Sequence, residues 1–237
     1  MPLSTCDFPG RLAAVVFLQG CPWACGYCHN PHLRPPGRGA GPPWPAVRDW
    51  LATRRSLLDA VVFSGGEPLR QRGLIQALAE VRALGFETAL HTTGMSPRRF
   101  VAALPHLDWV GFDVKAPFAD YPRVTGVPGG AAAARRSLRV LLASGVACEL
   151  RTTLHPRLLG PDALLALADE LASLGVRDWV LQFAQGTGCL DPRCDAPPWP
   201  DWLDAGFVAR LTARMPGLRW RHLPEARAAL IGAVAAA

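Results

Sequence analysis

AVVFSGGEPLRQRGLIQALAEVRALGFETALHTTG, residues 60–94, contains one full period of the pattern from which the fold is read. Ala60–Phe63 is a continuous apolar run, as expected of a parallel strand covered on both faces. Ser64-Gly65-Gly66-Glu67-Pro68 interrupts it with small and polar residues, and Leu74–Leu84 reads as a helix. Gly85 ends that helix. Glu87–His91 is the next strand, and His91-Thr92-Thr93-Gly94 is again polar and small. Strand, polar turn, helix, strand is a βαβ unit.

The same rhythm extends in both directions. Further strands are expected at Leu12–Leu18, Trp109–Val114, Ala147–Thr152, Trp179–Phe183 and Leu218–His222. Helices are expected at Trp44–Leu58, Pro97–Leu104, Ala131–Ala143, Pro161–Leu174 and Trp202–Arg214, with Gly145 and Gly175 as helix-ending residues. Six or seven such units predict an α/β fold, a parallel barrel or an open sheet. Two segments break the rhythm: Pro31–Pro45, rich in Pro and Gly, and Gly186–Asp201, which carries Cys189 and Cys194. No interdomain linker is evident, so 1–237 is expected to be one domain with its core at about 11–223. Ala226–Ala237 is expected to be a terminal helix or a tail.

In a βα barrel chemistry sits at the C-terminal ends of the strands, and the unusual polar residues fall there. A cysteine cluster follows the first strand and Ser64–Pro68 the second. His91–Gly94 ends the third, Asp113-Val114-Lys115 the fourth and Arg151-Thr152-Thr153 the fifth, while Gln182 and Gln185 bracket the sixth.

Composition narrows the class. Half of the 237 residues are hydrophobic and 19% are charged, which suits a globular chain. The net charge of +6 comes from arginines without a five-residue basic cluster, so nucleic acid is not an expected partner. Lys115 is the only lysine; where Arg is used everywhere else, one ammonium marks a place where a compact point charge serves better than a guanidinium. No apolar run reaches the ~18–20 residues that span a bilayer, and the first residues lack the pattern of a secretory signal. The chain is expected in the cytoplasm, where seven cysteines suggest metal ligands rather than disulfides. Cys6 and Cys148 are expected to be ordinary buried residues.

Cys21-Pro-Trp-Ala-Cys25-Gly-Tyr-Cys28-His29-Asn30 places three thiols in one short loop. Thiolates suit iron–sulfur clusters or zinc. Structural zinc with His29 as fourth ligand, a Cys-x-x-Cys dithiol, purely structural cysteines and haem attachment through Cys25-Gly-Tyr-Cys28-His29 are the alternatives. Closed sites take four protein ligands; three with no local fourth favour an iron left open for a small molecule.

Three cysteines at three-then-two spacing, with Tyr27 before the last, resemble the signature of the radical S-adenosylmethionine superfamily, and Gly65-Gly66-Glu67-Pro68 continues the match. More narrowly, Asp7-Phe8-Pro9-Gly10, Phe17-Leu18-Gln19-Gly20-Cys21, Cys28-His29-Asn30-Pro31, Asp113-Val114-Lys115-Ala116-Pro117 and Glu149-Leu150-Arg151-Thr152-Thr153 resemble activating proteins of anaerobic ribonucleoside-triphosphate reductase, which are glycyl-radical-enzyme activases. The resemblance implies a partial parallel (βα)6-type barrel. It implies a [4Fe–4S] cluster held by Cys21, Cys25 and Cys28, whose fourth iron chelates S-adenosylmethionine and passes it an electron. The products would be methionine and a 5′-deoxyadenosyl radical, so the cofactors carry the chemistry and no side chain is expected to be catalytic. It further implies a glycyl radical enzyme as partner and a flavodoxin- or ferredoxin-type electron donor.

For S-adenosylmethionine the resemblance implies Tyr27 against adenine and Gly65, Gly66 and Glu67 at the methionine amino group. Lys115 would neutralise its carboxylate, with Asp113 and Thr92 beside it, and Arg151 would reach the cofactor. Each has a plainer reading: a turn before a helix for Gly65–Pro68, loop packing for Tyr27, buried ion pairs for Asp113, Lys115 and Arg151. Gln182 and Gln185 are further polar candidates, and Cys189 and Cys194 candidates for a second metal. The sequence departs from the activases at His91, where Asp is usual, and at Thr93, where Asn is commoner. Two rival functions are a small-molecule radical enzyme, such as a 7-carboxy-7-deazaguanine synthase, and a non-catalytic metal-binding module.

Overall fold

The structure is a computed structural model that describes residues 1–222; the expected end of the core at 223 and the Ala226–Ala237 segment lie outside the described residues. In chain order the elements are β1 (Ala13–Leu18), α1 (Trp44–Ala52), β2 (Ala60–Gly65), α2 (Leu74–Ala83), β3 (Glu87–Thr92), α3 (Pro97–Ala103), β4 (Trp109–Asp113), α4 (Tyr121–Thr125), α5 (Gly130–Ser144), β5 (Ala147–Leu154), α6 (Pro161–Ser173), β6 (Asp178–Phe183), α7 (Ala205–Arg214) and β7 (Gly217–Arg221). Among the described residues the strands follow chain order, β1 to β7, in one parallel seven-stranded sheet that does not close on itself.

The chain divides into two compact units. The first comprises Met1–Pro22, His32–Phe112 and Ala133–Cys148. Its β2 is fully buried from Ala60 to Phe63, because a central parallel strand is covered on both faces. On α2 the buried residues are Leu74, Ala77, Leu78 and Val81, the spacing of a single apolar stripe. Phe63, Leu90, Phe100, Phe112 and Leu138 complete this core. Ser4 pairs antiparallel with Ala13, and Phe8 stacks on Trp109 at 5.5 Å.

The second unit comprises Trp23–Pro31, Asp113–Ala132 and, of the described residues, 149–222. On α6 the stripe Leu164, Leu167, Ala168 and Leu171 is buried, with Trp179, Leu181, Phe207 and Leu211 in the same core. Gly85, Gly145 and Gly175 all have φ between +73° and +93°, the left-handed conformation in which helices end on glycine.

Four expectations are corrected. The first helix stops at Ala52, six residues early; three and four residues beyond the buried Leu51 stand Arg54 and Arg55, so no apolar stripe continues. The last begins at Ala205 because Asp204 caps it, accepting the Phe207 N–H at 2.7 Å. The five-residue α4, ended by Gly126 at φ +67°, was not expected. Cys6 and Cys148 are exposed: Cys148 opens β5, whose first two residues face solvent.

Candidate functional site

In the first unit β2 runs into a tight turn. Gly65 has φ +115°, and a Cβ there would lie inside the backbone of Leu18. A Cβ on Gly66 would stand 2.7 Å from the Gly20 carbonyl oxygen. Neighbouring chain therefore demands both glycines, whatever ligand the turn also serves. Gly65→Ala is expected to cost about 3 kcal/mol or more, combining left-handed strain with overpacking, and to lower the urea midpoint of unfolding at unchanged slope.

The turn delivers Glu67 into the core at 1% exposure. Its Oε1 accepts the Thr92 hydroxyl (2.6 Å) and the Leu69 N–H (3.1 Å). Its Oε2 accepts the Thr93 hydroxyl (2.6 Å) and N–H (2.9 Å). Burial pushes the Glu67 carboxyl above its usual range, against the pull of these four bonds. Sequence reasoning treated Thr93 only as a departure; here it supplies two of the four donors. Thr92 also accepts the Gly94 N–H, and Ser137 donates to the Gly94 carbonyl.

His91 has a structural setting. Its Nε2 lies 2.7 Å from the Asp7 carbonyl oxygen and its Nδ1 3.8 Å from the Asp7 carboxylate, while the ring stands edge-on to Trp109. The Cys21 N–H donates to the Arg34 carbonyl at 3.0 Å.

In the second unit the end of β4 and β5 bring together a charged triad. The Asp113 carboxylate accepts Lys115 Nζ on Oδ2 and Arg151 Nε on Oδ1, both at 3.0 Å. One carboxylate thus stands between two cations, with Lys115 and Arg151 each only 11% exposed at the side chain. Burial opposes the Lys115 charge, yet Asp113 holds its pKa well above the usual lysine range. The ammonium lies 5.6 Å from the Tyr27 ring, within cation–π range. Tyr27 is buried, its phenol pushed up by that burial, and its hydroxyl has no hydrogen-bond partner among the described residues. Tyr121 accepts the Lys115 N–H at 3.2 Å; sequence reasoning missed it because nothing in Tyr-Pro-Arg-Val-Thr marks a site.

The cysteine loop is fixed by main-chain bonds. Cys28 N–H donates to the Cys25 carbonyl (3.0 Å) and Ala24 N–H to the Thr125 carbonyl (2.6 Å). Cys25 is buried and Cys28 half-buried. Among the described residues no group of three His, Cys, Asp or Glu side chains is gathered at metal-ligating distance. Cys189 and Cys194 are buried, and the Cys189 thiol, pushed up to about 11 by burial and then by Asp195, points at the Cys194 carbonyl at 3.6 Å. Gln182 donates to Thr153 at 3.0 Å, and Gln185 is exposed.

These donors suit the groups the sequence suggested. Three thiols are a soft set of the kind that holds iron–sulfur clusters. A buried triad with surplus positive charge, beside an unpartnered phenol, suits a ligand carrying a carboxylate and an acceptor. In each unit polar groups stand at the C-terminal ends of parallel strands, the place where α/β proteins carry their sites.

Comparison with known proteins narrows this class. The family model of the radical SAM superfamily matches residues 15–162. Over 175 residues the chain is 30% identical to MJ1227 of Methanocaldococcus jannaschii, named a glycyl-radical enzyme activating enzyme, covering 70% of this chain and 71% of that one. Over 126 residues it is 35% identical to the pyruvate formate-lyase-activating enzyme of Clostridium pasteurianum, covering 51% and 52%. The crystal structure of SuiB from Streptococcus suis bound to S-adenosylmethionine superimposes with a TM-score of 0.65 at 12% identity, over 88% of this chain and 49% of SuiB, a likeness of fold. The chain spans about half the length of the last two. It belongs to the radical SAM superfamily. That family implies a [4Fe–4S] cluster and S-adenosylmethionine as cofactors. No helix among the described residues is long and apolar enough to cross a membrane.

Proposed function

We propose that this chain is a glycyl-radical-enzyme activase that works in the cytoplasm and removes a Cα hydrogen from a glycine of a large partner, anaerobic ribonucleoside-triphosphate reductase or a similar enzyme. The observation that carries the reading is the 30% identity with MJ1227 over about 70% of both chains. By motif, Cys21, Cys25 and Cys28 hold the cluster. Tyr27, Gly65, Gly66, Glu67, Thr92, Asp113, Lys115 and Arg151 serve S-adenosylmethionine. When bound, these groups supply the electron and the hydrogen-abstracting carbon radical.

The chain's own residues supply binding and shape. Lys115, kept charged by Asp113, offers its ammonium to a carboxylate, and Arg151 pins Asp113 from the other side. The Tyr27 ring backs the ammonium, and its unpartnered hydroxyl is available to a ligand acceptor. Glu67, tied by four bonds, locks the Gly65-Gly66 turn so that its backbone is presented without reorganisation.

The test joins the air-free, cluster-loaded protein, S-adenosylmethionine and reduced flavodoxin or ferredoxin with a candidate glycyl radical enzyme. A glycyl radical signal in the electron paramagnetic resonance (EPR) spectrum of the partner is expected. Formation of 5′-deoxyadenosine with every such partner silent, and with a small molecule consumed instead, would replace this function with that of a small-molecule enzyme.

A further inference from the structure

The irregular stretch 186–201 packs on the segment bearing two of the three motif cysteines. Leu190 N–H donates to the Cys28 carbonyl at 3.1 Å, and Asp191 N–H to the Gly26 carbonyl at 3.0 Å. A Cβ on Gly26 would stand 3.2 Å from Cys194 Sγ and 3.6 Å from Asp191 Cβ. Gly26 has no left-handed φ, so the missing side chain serves the sulfur, not the backbone.

Cys194 is itself held. It is 3% exposed and ends a 3-10 turn, Pro192–Cys194, capped by the Asp191 carboxylate. Its N–H donates to the Asp191 carbonyl at 2.8 Å. Its carbonyl faces His155 Nε2 at 3.2 Å and the Cys189 thiol at 3.6 Å. At the packing density of a protein interior a displacement of a few tenths of an ångström passes to the neighbour.

We propose that Cys194 is a positioning residue for the cluster: its sulfur seats Gly26, the N–H groups of Leu190 and Asp191 hold the Cys28 and Gly26 carbonyls, and together they aim the Cys25 and Cys28 thiolates. The inference rests on the reading of Cys21, Cys25 and Cys28 as ligands. It gives Cys189 and Cys194 a role that needs no second metal. Groups that orient metal ligands typically alter affinity or activity by about 10–100-fold when changed.

The two positions are coupled sterically, which supplies the test. Gly26→Ala, Cys194→Ala and the double variant are loaded with iron and sulfide without air and reduced, and their EPR spectra are recorded with iron counts. Each single variant is expected to keep the parent's iron content but shift the g values. The double variant, with one methyl in the space the sulfur left, is expected to return them toward the parent. If Gly26→Ala does not fold, Cys194→Ser carries the test, a near-parent spectrum being expected where Cys194→Ala is shifted. Single variants with the parent's spectrum, or a double variant as displaced as the sum of its parts, would overturn the proposal while the cluster reading stands. A parent protein that takes up no cluster would overturn both.

Discussion

Replacing Cys25 with alanine is expected to give a folded protein that retains no stable [4Fe–4S] cluster and forms 5′-deoxyadenosine only at background. The thiol is small and buried, so the packing cost of deleting it is about 1 kcal/mol and unfolding is not the expected outcome. The chemical cost is far larger. On the proposed arrangement of three protein thiolates and one open iron, removing one thiolate leaves two irons without a protein ligand, and no fourth cysteine stands in the 21–28 loop to replace it. Visible absorption, iron content and circular dichroism on one sample separate loss of cluster from loss of fold. A variant with full iron content would remove Cys25 from the ligand set.

The second large effect is expected at Lys115. Changing it to methionine keeps most of the buried stem and deletes the ammonium. Asp113 still has Arg151 at 3.0 Å, so no buried charge is stranded and stability should fall only modestly. The loss falls instead on the ligand carboxylate. Breaking one partner of a buried, hydrogen-bonded charge pair costs about 3 kcal/mol, which is about a hundredfold in affinity for S-adenosylmethionine. Arginine at this position should not restore it, because a planar fork cannot replace a compact ammonium beside Asp113 and the Tyr27 ring. Binding measured on the cluster-loaded protein decides: unchanged affinity in the methionine variant would make the triad a structural ion pair.

How much of this could be read in the chain depends on sequence distance. The βαβ period of 60–94 is written locally, in apolar runs, helical spacing and a terminating glycine, and the structure follows it within about two residues. The end of α1 misled because Leu57 and Leu58 prolong an apolar impression that Arg54 and Arg55 interrupt on the buried face. The cysteine triplet and Lys115 announce themselves by residue type and rarity. Their partners do not. Arg151 reaches Asp113 across 38 positions and Thr92 reaches Glu67 across 25, and no local rule couples such residues. For the same reason the sequence leaves Arg151 between cofactor and ion pair and does not disclose its bond to Asp113. Cys194 against Gly26 is a contact of packing, which composition cannot reveal. The solvent-facing start of β5 was equally hidden, since an apolar pair such as Ala147-Cys148 reads as buried wherever it falls.

The claim on which the account turns is that the chain presents a cluster with one iron open to S-adenosylmethionine. Its most direct test is the air-free, iron- and sulfide-loaded protein given S-adenosylmethionine and a strong reductant, with methionine and 5′-deoxyadenosine counted against bound iron. Equal amounts of the two products, dependent on the reductant and on about four irons per chain, are the predicted result. A protein that binds its full iron and leaves S-adenosylmethionine intact would contradict it.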